Sequence, residues 1–267
     1  EKSFRGYEKF AALGKPMLQQ IDCIAAQAEN DAQRFRRLGV SDAVLRVTGS
    51  IKFDIQMPES LPEDRAKMAA RIENRRPVWI AASTREGEDE KVLTALRHIQ
   101  RHIPDVLLVL VPRHPERCNS AEKLCEKYQW RVVRRSSDAT VDALTPVFLG
   151  DSMGELLVYY SLAQLAFVGG SLVNTGCHNV LEPAAMGLPV ITGPSQFNFQ
   201  TICEQLAEHG ALLKVADENE LANTITDLLQ DSMRLQEMGE AGRQTVAANR
   251  GALDRIYALV TTHLPEC

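Results

Sequence analysis

Val106-Leu107-Leu108-Val109-Leu110-Val111-Pro112-Arg113-His114-Pro115 decides the fold. The apolar run has no polar interruption and stops at a turn stiffened by two prolines. A strand with one wet face alternates apolar and polar residues. An unbroken run suits a parallel strand covered on both faces. Shorter runs of the same kind stand at 45–48, 78–82, 132–134, 147–149, 165–168, 189–192 and 212–215, each bounded by Gly, Pro or polar turns. Between them, 87–101, 116–129, 155–162, 179–186, 199–208 and 217–229 place apolar residues at three- and four-residue spacing, the period of a helix. Strand alternating with helix predicts an α/β fold: a doubly wound, mostly parallel, Rossmann-like sheet.

The flanks read differently. Residues 55–76 contain Pro58, Pro62 and many charges, and are expected to form a surface helix. The tail 231–263 reads as two helices broken near Asn249-Arg250-Gly251. Before Val47, residues 19–38 form one long helical pattern that stops at Leu38-Gly39. The opening Glu1-Lys2-Ser3-Phe4-Arg5 is polar and helix-like. With too few strands for a domain of their own, residues 1–44 are expected to be the remnant of, or connector from, a truncated preceding domain. Residues 45–267 are then the α/β domain.

Composition narrows the function. The chain has 267 residues, 45% hydrophobic and 24% charged, ordinary for a globular protein with a sizeable core. A net charge of −5 argues against a nucleic-acid partner, which needs a basic excess, but leaves room for a local pocket for one small anion. No apolar run approaches the ~20 residues of a membrane span. The cysteines 23, 118, 125, 177, 203 and 267 show neither metal-finger nor disulfide-framework spacing and read as free thiols. His98 and His102 have zinc-like i, i+4 spacing but no third ligand, and read as surface residues.

Four motifs stand where open α/β sheets bind ligands. Val47-Thr48-Gly49-Ser50-Ile51-Lys52-Phe53-Asp54 is a strand running into a Gly-Ser turn with a lysine; by itself it reads more readily as a plain turn. Ala82-Ser83-Thr84-Arg85-Glu86-Gly87-Glu88-Asp89-Glu90 has its acids in a first helical turn, where they complement the helix dipole. Ser83, Thr84 and Arg85 stand at a strand's carboxyl end. In Pro112-Arg113-His114-Pro115 the prolines hold Arg113, whose guanidinium suits a phosphate or carboxylate. The fourth motif joins Gly150-Asp151-Ser152-Met153-Gly154-Glu155, Gly169-Gly170-Ser171-Leu172 and Gly176-Cys177-His178-Asn179-Val180-Leu181-Glu182. Its glycines allow close approach of backbone to a ligand. A helix starting near Asn179 is expected to aim N–H groups at a phosphate, with Glu182 one turn in for sugar hydroxyls. His178 reads equally as a ligand contact or as a loop-fixing side chain.

Glu182-Pro183 followed by Gly187 and Pro189, after a Gly-rich loop, resembles the nucleotide-binding, C-terminal half of GT-B glycosyltransferases. The motifs together, in order over nearly the whole chain, resemble the lipid A Kdo transferases, where Kdo is 3-deoxy-D-manno-octulosonic acid. The resemblance implies a transferase that moves Kdo from CMP-Kdo to a lipid A precursor in lipopolysaccharide synthesis, at the cytoplasmic face of the bacterial inner membrane. It implies no cofactor and no metal. By position it assigns CMP contacts to Pro112, Arg113, Met153, Gly154, Glu155, Asn179, Val180, Leu181 and Glu182, and transition-state stabilisation to Lys52. The base and the acceptor site are expected in a preceding domain, so this chain alone should bind donor without transferring it. Membrane contact is expected only through a longer parent. Cys177 departs from the family's usual glycine. The alternatives are a non-catalytic nucleotide-sugar module, or a GT-B transferase or epimerase using a UDP or ADP sugar.

Overall fold

The computed structural model describes residues 4, 6–7, 11–73 and 76–263. Of the opening pentapeptide only Phe4 is among the described residues, and Cys267 lies outside them. The chain divides into two compact units, one of residues 1–54 with 247–267 and the other of residues 55–246.

The first unit contains helix α1 (Ala11–Leu18), strand β1 (Ile24–Ala26), helix α2 (Glu29–Arg37) and strand β2 (Leu45–Val47). The expected single helix over 19–38 is therefore broken. Ile24 and Ala26 are buried while Ala25 between them is exposed, and the trio pairs in parallel with Leu45–Val47. Pairing with a distant strand overrides a locally helical pattern. β1, α2 and β2 form a βαβ turn around Leu18, Ile24, Ala32, Val40 and Leu45. β2 thus pairs inside this unit, which differs from a domain beginning at 45. The closing helix α11 (Ala252–His263) belongs here too. Asp54 accepts the N–H groups of Gly251 (2.6 Å) and Leu253 (2.7 Å) at its start, and Arg255 donates to the Thr48 carbonyl (2.8 Å). Burial pushes the Asp54 carboxyl up, but those N–H donors prevail and hold it below the usual range.

The second unit is a seven-stranded parallel sheet. Its strands are β3 (Val78–Thr84), β4 (Leu107–Pro112), β5 (Val132–Arg134), β6 (Val147–Leu149), β7 (Leu165–Val168), β8 (Val190–Thr192) and β9 (Leu212–Lys214), in the order β5-β6-β4-β3-β7-β8-β9. The helices are α3 (Leu61–Ala69), α4 (Glu88–Ile99), α5 (Cys118–Lys127), α6 (Leu156–Leu162), α7 (Leu181–Ala185), α8 (Gln200–Glu208), α9 (Glu218–Gln230) and α10 (Ser232–Ala248), the last reaching the unit boundary.

Both faces of the sheet are covered, as the unbroken apolar runs require. Leu108 and Leu110 face a cluster with Trp79, Phe167, and Leu93 and Leu96 of α4. Leu107, Val109 and Val111 face the opposite cluster, with Ile80, Phe148, Met68 of α3 and Tyr159 of α6. From β3 the chain winds toward β4, and from β7 toward β8 and β9. The winding reverses between β3 and β7, and a crevice at the carboxyl ends of such a pair is where doubly wound sheets take ligands.

Candidate functional site

At that crevice β3 ends in an irregular step. The register shifts between Ala82 and Thr84, and Ser83 adopts φ 58°, a left-handed conformation costly for a non-glycine residue. The chain then turns at Gly87 into α4, whose first residue, Glu88, is fully buried. Its carboxylate accepts the backbone N–H groups of Gly170 (2.6 Å), Leu172 (2.9 Å), Ser171 (3.0 Å) and Arg85 (3.1 Å). Burial pushes the Glu88 carboxyl up, and these donors oppose the shift. The Gly-rich turn after β7 is thus an anion nest already filled by the protein's own carboxylate. A Cβ on Gly169 would sit 2.7 Å from the Ser83 carbonyl oxygen. The close approach at Gly169 is used for packing against β3 and α4, and that at Gly170 for packing against the Gly176 carbonyl.

The two arginines after β4 part company. Arg117 binds the Thr84 carbonyl (2.9 Å) and pairs with the buried Asp89. Burial raises the Asp89 carboxyl, and the Thr84 hydroxyl and Arg117 pull it back. Arg113 is anchored only through its backbone, whose N–H donates to the Thr84 carbonyl (3.0 Å), and its side chain is exposed. Pro112 is buried.

Arg85, at the end of β3, joins two loops. Its Nε donates to Nε2 of His178 (3.0 Å) and its Nη1 lies 2.9 Å from Nε2 of His114. The His178 backbone N–H also binds the Gly169 carbonyl (3.1 Å). Burial, then the charges of Arg85, Arg113 and His114, hold the His178 pKa down at about 4, so the ring stays neutral and its nitrogen stays an acceptor.

The loop after β6 is pinned at its ends and open in the middle. Asp151 accepts the Ser136 N–H (2.9 Å) and hydroxyl (2.6 Å). Glu155 accepts from Arg135 (3.1 Å) and the Ser152 hydroxyl. Ser152 also touches the Tyr159 hydroxyl (2.5 Å), which burial pushes up to about 12. Met153 stands 69% exposed, and Gly154 turns with φ 80° into open space.

The helix expected over 179–186 is shorter, one turn over Leu181–Ala185. The Asn179 side chain accepts the Leu181 N–H (3.0 Å) and donates to Glu182 (3.0 Å). A self-capped single turn has little dipole to offer a phosphate, which corrects the expected anion-binding helix start. Val180 and Leu181 are fully buried, so neither presents a side chain to a ligand. Glu182 is half-buried, and burial pushes its carboxyl up against the pull of Asn179. Cys177 turns into the core, its sulfur 3.7 Å from that of Cys203.

Within the second unit, the structure places Arg113, Met153 to Glu155, and Asn179 to Glu182 at the start of α7, at the sheet's carboxyl edge, with Arg85, His114 and His178 at the switch point. Lys52 belongs to the other unit, exposed in the 3-10 turn Ile51–Phe53. Sequence reasoning missed the nest-filling Glu88, one of several acids around that helix start. It noticed Arg85 by position but had no signal for partners 29 and 93 positions away. A cavity of about 490 Å³ lies nearby, lined by residues such as Asn174, Ser195, Gln196, Phe197 and Lys214, and holds none of the expected site residues. Among the described residues no group of acidic, His or Cys side chains is placed to hold a metal ion, and no helix is long and apolar enough to cross a membrane.

Residues 1–55 match the family described as 3-deoxy-D-manno-octulosonic-acid transferase (kdotransferase), and residues 80–245 match the glycosyl transferases group 1. The 3-deoxy-D-manno-octulosonic acid transferase of Haemophilus influenzae is 40% identical over 98% of this chain and 62% of its own length. That of Bordetella pertussis is 36% identical over 89% of this chain and 56% of its own. The chain therefore spans about three fifths of the curated relatives it matches. The C-terminal CMP-Kdo binding domain of WaaA from Acinetobacter baumannii superposes with a TM-score of 0.67 at 32% identity, covering 71% of this chain and 99% of that domain.

Proposed function

This chain belongs to the 3-deoxy-D-manno-octulosonic acid transferase family, within the group 1 glycosyl transferases, and from that premise we propose that its second unit binds CMP-Kdo for transfer of Kdo to a lipid A precursor. The observation that carries the reading is Arg113: an exposed cation on a proline-braced turn, beside a second arginine held by the rings of His114 and His178, at the switch point of a doubly wound sheet. Breaking the bond between the anomeric carbon and the phosphate leaves negative charge on departing CMP. Fixed donors aimed at that charge lower the barrier most. Arg113 takes the phosphate. The open stretch Met153-Gly154 and the Asn179–Glu182 pair face the nucleoside, with Glu155, Pro112, Val180 and Leu181 setting the shape of their loops. Lys52 stabilises the transition state.

The base that deprotonates the acceptor hydroxyl and the lipid A precursor site belong to a preceding acceptor domain. The match of residues 1–55 to the kdotransferase family supports assigning this stretch to that side of the enzyme. The parent enzyme meets the lipid at the cytoplasmic face of the bacterial inner membrane, and this chain alone binds donor without transferring it. Calorimetric titration with CMP, UMP and AMP tests the reading. CMP is expected to bind tightest, and equal or tighter binding of UMP overturns the assignment.

A further inference from the structure

Several arginines of the second unit are paired with acids, and others, such as Arg76, are held by backbone carbonyls. Arg117 pairs with Asp89, Arg134 with Glu122 and Arg135 with Glu155, each a cation neutralised by a carboxylate. Arg85 is held differently. Its partners are imidazole nitrogens from two separate loops, His114 after β4 and His178 after β7. An imidazole nitrogen that accepts a hydrogen bond fixes a guanidinium but, unlike a carboxylate, brings no negative charge to compensate it. The two buried acids that follow Arg85 in sequence are engaged elsewhere, Glu88 by the N–H nest and Asp89 by Arg117. Among the described residues no carboxylate pairs with Arg85 or Arg113. A half-buried, immobilised cation at a ligand crevice, with its Nη2 donors unused, is arranged to receive an anion.

We propose that Arg85, positioned by His114 and His178, is the binding group for the carboxylate of the donor's acidic sugar. The proposal rests on the CMP-Kdo reading above and deepens it. An ulosonic acid carries its carboxylate on the anomeric carbon itself, so a CMP conjugate presents carboxylate and phosphate side by side. Two adjacent anions call for two adjacent cations. Arg85 and Arg113 are such a pair: the Arg113 N–H binds the carbonyl of Thr84, the residue before Arg85 (3.0 Å), and the Arg85 guanidinium lies 2.9 Å from the ring of His114, the residue after Arg113. The exposed, chain-anchored Arg113 takes the phosphate. Arg85's planar fork suits a carboxylate, which accepts paired hydrogen bonds in one plane. On this arrangement Arg85 is the residue that distinguishes an acidic sugar from a neutral one on the same nucleotide.

The test uses a hydrolysis-resistant CMP–ulosonic acid phosphonate, its carboxamide, and CMP, titrated by calorimetry into the chain and into Arg85→Gln and Arg85→Lys. The wild-type chain is expected to bind the acid about tenfold or more tighter than the carboxamide, the scale of one charge-assisted hydrogen bond. Arg85→Gln is expected to bind acid and carboxamide alike, with CMP affinity changed by no more than about twofold, a small loss on the scale of one hydrogen bond. Arg85→Lys, charged but without the fork, is expected to recover only part of the preference. Equal wild-type affinity for acid and carboxamide, with CMP bound normally, overturns this proposal alone, and does so even if neither variant folds. The same follows if Arg85→Gln keeps the acid preference, or loses CMP binding as heavily as conjugate binding. Failure of the wild-type chain to prefer CMP over UMP instead overturns the donor assignment.

Discussion

The carboxylate of Glu88 lies 2.6 Å from the backbone nitrogen of Gly170, across 82 positions of sequence. The same carboxylate takes the N–H groups of Ser171, Leu172 and Arg85, so one buried side chain satisfies a whole turn. Glu88→Ala leaves these donors without partners in a dry interior. The expected loss is about 3 kcal/mol of stability or more, since each stranded buried donor costs on the order of 1–3 kcal/mol. Glu88→Gln, which keeps the shape but offers a single acceptor oxygen, should fall between. Urea melts of the three proteins measure this, and an unchanged midpoint for Glu88→Ala would mean the turn holds itself without the carboxylate.

Two glycines in the site loops should behave differently. A Cβ at Gly170 (φ 78°) would sit 2.4 Å from the Gly176 carbonyl oxygen, whereas at Gly154 (φ 80°) it would meet nothing within 4 Å. Gly154→Ala pays only for the left-handed backbone, about 1 kcal/mol. Gly170→Ala adds a backbone clash and should cost about 1–3 kcal/mol more. Thermal melts that rank the two equally would contradict the close packing of the β7 turn.

The His178 ring should remain unprotonated well below the usual histidine range, titrating near pH 4. Its folded pKa lies below the unfolded value of 6.5, so the associated stability is full above about pH 6.5 and is lost as the pH falls toward 4. Imidazole NMR shifts followed from pH 8 to pH 4 report this directly. In Arg85→Ala the titration should move upward, because a depressing charge has gone. A His178 midpoint near 6.5 in the wild type would remove its assignment as a permanent acceptor.

Arg113 and Arg117 should separate binding from folding. Arg113→Ala is expected to weaken CMP binding by about 1–3 kcal/mol, one charge-assisted contact, with little change in melting temperature. Arg117→Ala strands the buried Asp89 and should cost about 3–5 kcal/mol of stability. Calorimetry and thermal melts on the same preparations check both, and the assignment fails if the two effects are exchanged.

Glu182→Ala is expected to weaken nucleotide binding while the domain stays folded, because its side-chain partner, Asn179, lies only three residues before it. A large drop in melting temperature with unchanged affinity per folded molecule would make Glu182 a structural residue.

Much of the second unit was legible in its sequence because its physics is local. Leu107 to Val111 alternate between two covered faces, and that condition alone produces an unbroken apolar run. β1 was not legible. Its three residues are a strand only because Leu45–Val47 returns to pair with them. The site divides along the same line. Arg113 announces itself through flanking prolines. Glu88 does not: Glu86, Asp89 and Glu90 stand around it, and the nest that selects it is built by residues 170–172. Asp54 is similar, a motif residue whose visible role is to cap a helix nearly 200 positions on.

β3 is the innermost strand of its sheet, yet it is made first. While the chain emerges from the ribosome, β4 soon covers one side of β3, but the other side waits for Leu165 to Val168. Until then its backbone is an open template for foreign strands, and Glu88 is a carboxylate with no nest to enter. A newborn chain stalled short of residue 172 holds the unit's most apolar strands without the partners that close them. Docking of Glu88 onto Gly170 is therefore a late event in folding, when the loop-closure cost of a long-range contact is finally repaid. Stalled or truncated chains ending before this turn are expected to be the aggregation-prone ones.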